Sequence, residues 1–312
     1  MTDAFPADPI ASPAASPAAS PAASPAASIA RLLALLDVER IEDDLYRGQS
    51  TNAGWMRVYG GQVVAQALMA ASRTVSDGRL CHSLHSYFIR PGDPAHPIVY
   101  RVERDRDGAS FTTRRVIAIQ KGRPIFNMAA SFQAEEPGLS HADAMPTSVA
   151  PESLQSEAEW AEIHAADAPE PYRSLMKNRD RPIDFRPVVK VHPFQPVAHA
   201  PRAQHWVRAV APFHVSAPAA RALFAYASDM TLLDTCLLPH AIAWSDPSMQ
   251  VASLDHAIWF NATPDLNDWH LFDQDSPVAG GGRGLNRALV YNQNGSLVAS
   301  VVQEGLIRRQ QG

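Results

Sequence analysis

Ser253-Leu254-Asp255-His256 brings the three side chains of a serine-hydrolase relay into four consecutive positions. Such a relay needs serine to touch histidine and histidine to touch the carboxylate. In a regular strand, side chains alternate between faces, so Ser253 and Asp255 fall on one side and His256 on the other. The spacing therefore predicts no local triad. A Gly-x-Ser-x-Gly elbow is also missing from the chain, which removes the main sign of an α/β-hydrolase. His256 shares its expected face with Leu254, Ile258 and Phe260 and reads as a core histidine with a structural role.

Asp229 and Gln303 stand out because each is polar in an apolar setting. In a helix spanning Ala217–Thr235, Ala222, Tyr226, Asp229 and Leu233 share one stripe at about 100° per residue. A carboxylate in such a stripe costs free energy unless it is hydrogen-bonded, and it often marks a site. The competing reading ends the helix at Ser228 and makes Asp229 the N-cap of a following short helix. Gln303 follows the apolar run Leu297–Val302. If buried, its amide needs partners for both its oxygen and its NH2; alternatively, the strand emerges there into solvent.

Other candidates carry less. Cys81, His82 and His85 have ligand chemistry, but no second pair stands at zinc spacing, so no metal is expected. Gly280-Gly-Gly-Arg-Gly284 lacks the P-loop lysine and reads as a hairpin connection, with Arg283 a candidate contact for an anionic ligand. Arg90-Pro-Gly-Asp93 reads as a turn.

The elements that must position these residues repeat. Gly60-Gly61 opens a helix running to Ala71, and strand-like runs follow at Leu84–Arg90, Ile98–Glu103, Phe111–Gln120 and Ile125–Gln133. The same order returns as a strand at Gln204–Val210, the helix from Ala217, and strands at Ser253–Phe260, Trp269–Asp273, Leu285–Tyr291 and Leu297–Gln303. Ser83-Leu-His-Ser-Tyr-Phe88 matches Ser253-Leu-Asp-His-Ala-Ile258, and the stretch from Arg114 to Gly122 matches that from Arg287 to Gly295. In this alignment Arg73 stands where the second half has Asp229, and Ala130 where it has Gln303. The expected architecture is α+β, with units at 29–133 and 201–310 joined by a proline-rich connecting region at 134–200. That region is expected to hold one helix near Glu157–Ala166. The Ala/Ser/Pro repeat within residues 1–28 offers little to bury and is expected to be a disordered tail.

Composition bounds the function. The 312 residues are 46% hydrophobic, enough for a large core, and the net charge of −5 gives no footprint for nucleic acid. No run of about 18 apolar residues predicts a membrane span. Two distant cysteines read as buried thiols of a reducing compartment, and the expected location is cytoplasmic.

The chain resembles the acyl-CoA thioesterase II (TesB-like) family. The resemblance rests on Gly60-Gly-Gln-Val-Val-Ala-Gln-Ala67, Leu84-His-Ser-Tyr-Phe-Ile-Arg-Pro-Gly-Asp93, Tyr226-Ala-Ser-Asp229, Ser253-Leu-Asp-His256 and Val302-Gln-Glu-Gly305. It spans about Tyr46 to Arg308 and implies a double hotdog, two tandem units each with a long helix wrapped by an antiparallel sheet. The implied catalytic set is Asp229, Ser253 and Gln303. The family pattern has threonine where this chain has Ser253, which keeps the hydroxyl and loosens its rotamer. The implied reaction is hydrolysis of medium- to long-chain acyl-CoA by aspartate-assisted attack of water, with no cofactor. Gly60, Gly61 and Arg283 are further candidates for substrate contact. Exposed sheet edges suggest a homo-oligomer. Competing functions are a hotdog enoyl-CoA hydratase or dehydratase, working through an Asp/His pair, and a non-catalytic acyl-CoA-binding module.

Overall fold

Ser24 caps the first helix, α1 (Pro25–Leu36), by accepting the Ala27 N–H at 3.3 Å. The computed structural model describes residues 24–51, 56–170, 173–174, 179–243 and 246–310. The expected tail lies outside these up to residue 23, but Pro25–Ser28 are helical. Proline is harmless in a first turn, where its missing N–H has no partner to lose.

Two runs of elements follow. The first holds β1 (Glu39–Glu42), β2 (Leu45–Gly48), α2 (Gly60–Ser72), β3 (Arg79–Phe88), β4 (Ile98–Asp107), β5 (Phe111–Gln120) and β6 (Arg123–Ala134). A connecting segment carries α3 (Glu157–Ile163), which begins in a Ser156/Glu159 capping box. The second run holds β7 (Ile183–Pro187), β8 (Arg202–Ala209), α4 (Ala217–Ser228), β9 (Met249–Ser253), β10 (Asp255–Phe260), β11 (His270–Gly280), β12 (Arg283–Asn292) and β13 (Leu297–Arg309). With β9 and β10 counted as one broken strand, each run reads strand, strand, helix, then four strands.

The strands form one antiparallel sheet in the order β1-β2-β4-β5-β6-β3-β10-β13-β12-β11-β8-β7, with β9 added beside β13. The order is symmetric about the β3–β10 pair, so the two runs are related as the sequence alignment expects. Gly122 and Gly295 occupy equivalent turns with φ of 73° and 84°, a region open to glycine without strain. Inside the curl of the sheet, α2 buries Val63, Val64, Ala65, Ala67, Leu68, Ala70 and Ala71. It packs on α4, whose Ala222, Leu223, Ala225 and Ala227 are buried. These small side chains let two helices that are apolar nearly all round lie side by side.

Two boundaries differ from the sequence expectation. α4 ends at Ser228, as the competing reading had it, instead of running to Thr235, and a 3-10 turn at Leu233–His240 follows. β7 lies inside the segment expected only to connect, pairing with β8 at the sheet edge. Other described residues of that segment pack on the second-half sheet. Met145, Leu154 and Val188 pack on Trp206, Trp269, Leu271 and Tyr291, and Trp206 Nε1 donates to the Val149 carbonyl at 2.8 Å. Arg186 and Arg208 lie over the Trp269 ring at 4.9 and 4.2 Å. Anchors of this kind leave no repeating pattern in sequence.

Candidate active site

Asp229 is the C-cap of α4, with αR backbone angles, and its residue is only 9% exposed. It owes its burial to the antiparallel neighbour, because the N-terminus of α2 abuts the C-terminus of α4. The N-cap of α2 is Tyr59, which supplies no side-chain bond to the first turn. Asp229 fills that role from across the interface, accepting the backbone N–H of Gly61. A Cβ on Gly60 would stand 2.8 Å from Asp229 Oδ2, and one on Gly61 would stand 2.6 Å from the Tyr226 carbonyl. The Gly60-Gly61 pair is therefore what lets the two helix ends meet. Neither reading of Asp229 from the sequence described this: the residue lies past the helix stripe, and it caps α2 rather than the next turn.

Two more candidates converge on the same carboxylate. Gln303 Nε2 donates to Asp229 Oδ1 at 2.5 Å, and Ser253 Oγ donates to it at 3.5 Å. Gln303 sits on β13, fully buried, and its Oε1 has no partner among the described residues. The strand does not emerge into solvent there. Burial pushes the Asp229 carboxyl up from 3.8 to about 6, against the lowering pull of the Gln303, Gly61 and Ser253 donors. The result is a carboxylate that is ionised at neutral pH yet far more basic than an exposed one.

The alternation expected through Ser253–His256 fails at a β-bulge. Ser253 pairs with Gly305 and Ala257 with Val302, so four residues on one strand span three on the other. Asp255 holds the bulge by accepting the Glu304 N–H at 2.6 Å. The extra residue reverses the phase, and Ser253 and His256 both turn towards Asp229. His256 is fully buried, with Nδ1 3.9 Å from Asp229 Oδ1 and Nε2 2.8 Å from Ser228 Oγ. Ser253 still does not touch His256, so no serine relay exists. Sequence reasoning missed His256 as a neighbour of the site, because a bulge held by one side chain leaves no periodic signal.

The remaining candidates lie apart. Arg283 is at the β11–β12 hairpin turn, where Gly281 and Gly282 have φ of 58° and 75°, and its Nε donates to Glu304 at 2.8 Å on the outer face. Cys81 and His82 do not converge on one centre: Cys81 bonds the Ser83 carbonyl and His82 the Ser131 hydroxyl. Among the described residues His164, Asp167 and His192 bring ligand atoms within 4.8 Å of one another. However, His192 Nδ1 accepts the N–H groups of Phe194 and Gln195. That leaves the proton on Nε2, the atom facing Asp167, and makes the trio a hydrogen-bonded clasp rather than a ligand set.

A buried, basic carboxylate with an amide and a hydroxyl beside it can deprotonate a water held in place. Comparison with known proteins identifies the family. The family described as acyl-CoA thioesterase matches residues 174–306, and the acyl-CoA thioesterase N-terminal domain matches residues 50–133. Acyl-CoA thioesterase 2 of Haemophilus influenzae is 39% identical over 277 residues, covering 89% of this chain and 96% of that protein. The crystal structure of an acyl-CoA thioesterase II, TesB2, from Mycobacterium marinum has a TM-score of 0.73 at 39% identity, covering 89% of this chain and 98% of that one. A hot dog fold protein of unknown function from Alicyclobacillus acidocaldarius has a TM-score of 0.70 at 18% identity, covering 89% of this chain and 97% of that one; it bears on the fold alone.

Proposed function

The chain belongs to the acyl-CoA thioesterase family and is a thioester hydrolase of double hotdog fold, and from that premise we propose that Asp229 is its general base. The observation that carries the proposal is the convergence of Gln303, Ser253 and the Gly61 N–H on one buried carboxylate.

The attacking water lies between Asp229 and Gln303. One of its protons goes to Asp229, and the other O–H is donated to the unpartnered Gln303 Oε1. Ser253 and Gln303 orient it, which replaces a bimolecular encounter with a held geometry. The oxygen attacks the thioester carbon, and the oxyanion forms beside the first turn of α2, whose N–H groups and dipole favour negative charge. The C–S bond then breaks, and the CoA thiolate takes the proton that Asp229 holds. The products are the fatty acid and CoA, with no covalent intermediate.

Medium- and long-chain acyl groups are the substrates of this reading. Phe88 stands beside Gly60 with its ring tilted 51° to that of Phe126 at 5.4 Å, and the pair offers an apolar wall next to the carboxylate. Homo-oligomers fit the exposed Tyr87, Phe111, Trp259 and Val278 and the open edges at β1 and β7. The cytoplasm is the assigned compartment, in keeping with two buried free thiols. Release of CoA thiol from acetyl-, octanoyl- and palmitoyl-CoA, compared between the protein and its Asp229→Asn variant, tests the whole reading. Turnover should be highest on the longer chains and fall roughly 10³-fold in the variant. Near-normal hydrolysis by Asp229→Asn overturns the assignment.

A further inference from the structure

His256 is buried beside the carboxylate, yet the reaction above does not use it. Its surroundings favour a proton on Nε2. Ser228 Oγ donates its only proton to the Ala225 carbonyl at 3.0 Å. Towards His256 the hydroxyl can therefore only accept, so the bond at 2.8 Å is donated by Nε2–H. In a neutral ring Nδ1 is then a bare acceptor. That nitrogen is buried, has no hydrogen-bond partner among the described residues, and stands 3.9 Å from Asp229 Oδ1.

A lone pair facing a carboxylate gains nothing, because both are acceptors. The contact becomes favourable once Asp229 holds a proton, for its O–H then has an acceptor a short side-chain movement away. We propose that Ser228 and His256 form a positioning pair that locks the ring as the Nε2–H tautomer and receives the Asp229 O–H at Nδ1 during the step in which Asp229 holds the water's proton. No proton moves onto the ring. It stays on Asp229 until the thiolate leaves, so the atoms balance as in the hydrolysis above. Burial keeps the ring neutral, holding His256 down at about 3.

Other polar and charged groups also border this pocket. Tyr59 donates its hydroxyl to the Tyr226 carbonyl at 2.8 Å, and both phenols are pushed up by burial. Arg179 and Asp180 lie beyond them, with their charges felt at the phenols. From β13 and β9 come the uncharged Gln303 and Ser253. Ser86 of β3 donates to the His256 carbonyl, and Asp255 and Glu304 are tied together on the far side of the bulge.

The inference rests on Asp229 as base, and two measurements separate them. The first is the pH profile of kcat/KM for Ser228→Ala. Without its acceptor at Nε2 the ring is free to place its proton on Nδ1 and donate to the carboxylate, which stabilises the ionised form. The acid limb should move down by about one pH unit, and kcat should drop about tenfold as the base weakens. A His256→Gln variant, which keeps an amide near the Ser228 hydroxyl and leaves no acceptor at the Nδ1 position, should show the same downward shift. The second measurement needs no variant: ¹⁵N shifts of the intact protein, with His256 identified by its loss in His256→Gln, should report a protonated Nε2 and a bare Nδ1. The reverse tautomer, or unmoved limbs in both variants, overturns the pair. If Asp229→Asn is inactive, the base assignment stands regardless; if it is active, the underlying reading fails.

Discussion

The α2–α4 pair has two ends built on the same plan, and only one is equipped for chemistry. At one end the C-cap of α4 is Asp229, facing the N-terminus of α2. At the other the C-cap of α2 is Arg73, facing the start of α4 at Ser216 and Pro218. Where the first end has Gln303, the second has the buried Ala130, and the counterpart of His256 is Ser86. Arg73 turns away to the Val38 carbonyl and the Asp37 carboxylate at the end of α1. A groove lined by Leu33, Leu36, Met69, Arg73, Val215 and Ala222 lies at this far end. Among the described residues that line it there is no buried carboxylate and no unpartnered amide. The difference teaches that the scaffold supplies helix termini at both ends, while the proposed base is buried at one end and its counterpart Arg73 is exposed at the other.

The comparison breaks most severely at the two C-caps. Asp229→Asn should cost turnover roughly 10³-fold, whereas Arg73→Met should leave thiol release unchanged. The same Asp229 variant should gain stability. Its carboxyl is raised from 3.8 to about 6 in the fold, so the protonated form is favoured by folding. That stability is complete below the unfolded value and is lost as pH rises through 6. At pH 8 the buried charge costs on the order of 3 kcal/mol. Thermal melts should therefore show Asp229→Asn more stable than the parent at pH 8, with the gain gone near pH 4.

Gln303→Ala makes the reactive end resemble Ala130, and it should lower kcat by about 10²-fold, with a smaller effect on KM. Equal losses in binding of a non-hydrolysable acyl-CoA analogue would demote the amide to a substrate contact. Ser253→Ala should be milder, about tenfold or less, since its bond to Asp229 is long at 3.5 Å. Ser253→Thr restores the hydroxyl with a stiffer rotamer and should match or exceed the parent. A Thr variant as impaired as the Ala variant would show that the side chain does not orient the water.

Much of this asymmetry was legible in the sequence. The apolar helix opened by Gly60-Gly61, the strand order and the duplication come from periodicity and turn residues, which act locally. Asp229 and Gln303 were visible as polar residues out of place. What escaped depends on contacts between distant segments. The C-cap of α4 is held by the Gly61 N–H from another helix. The bulge that brings His256 round is held by the bond from Glu304 N–H to the Asp255 side chain. The covering of the second-half sheet depends on tryptophan and arginine anchors instead of a repeat.

The pH dependence of kcat/KM for octanoyl-CoA tests most directly the claim that one buried carboxylate does the work. Asp229 acts only when ionised, so the rate constant should fall tenfold per unit below an apparent pKa of about 6 and level off above pH 7. A profile that stays flat from about pH 5 to 8 would contradict the claim and leave the two helix ends without a chemical distinction.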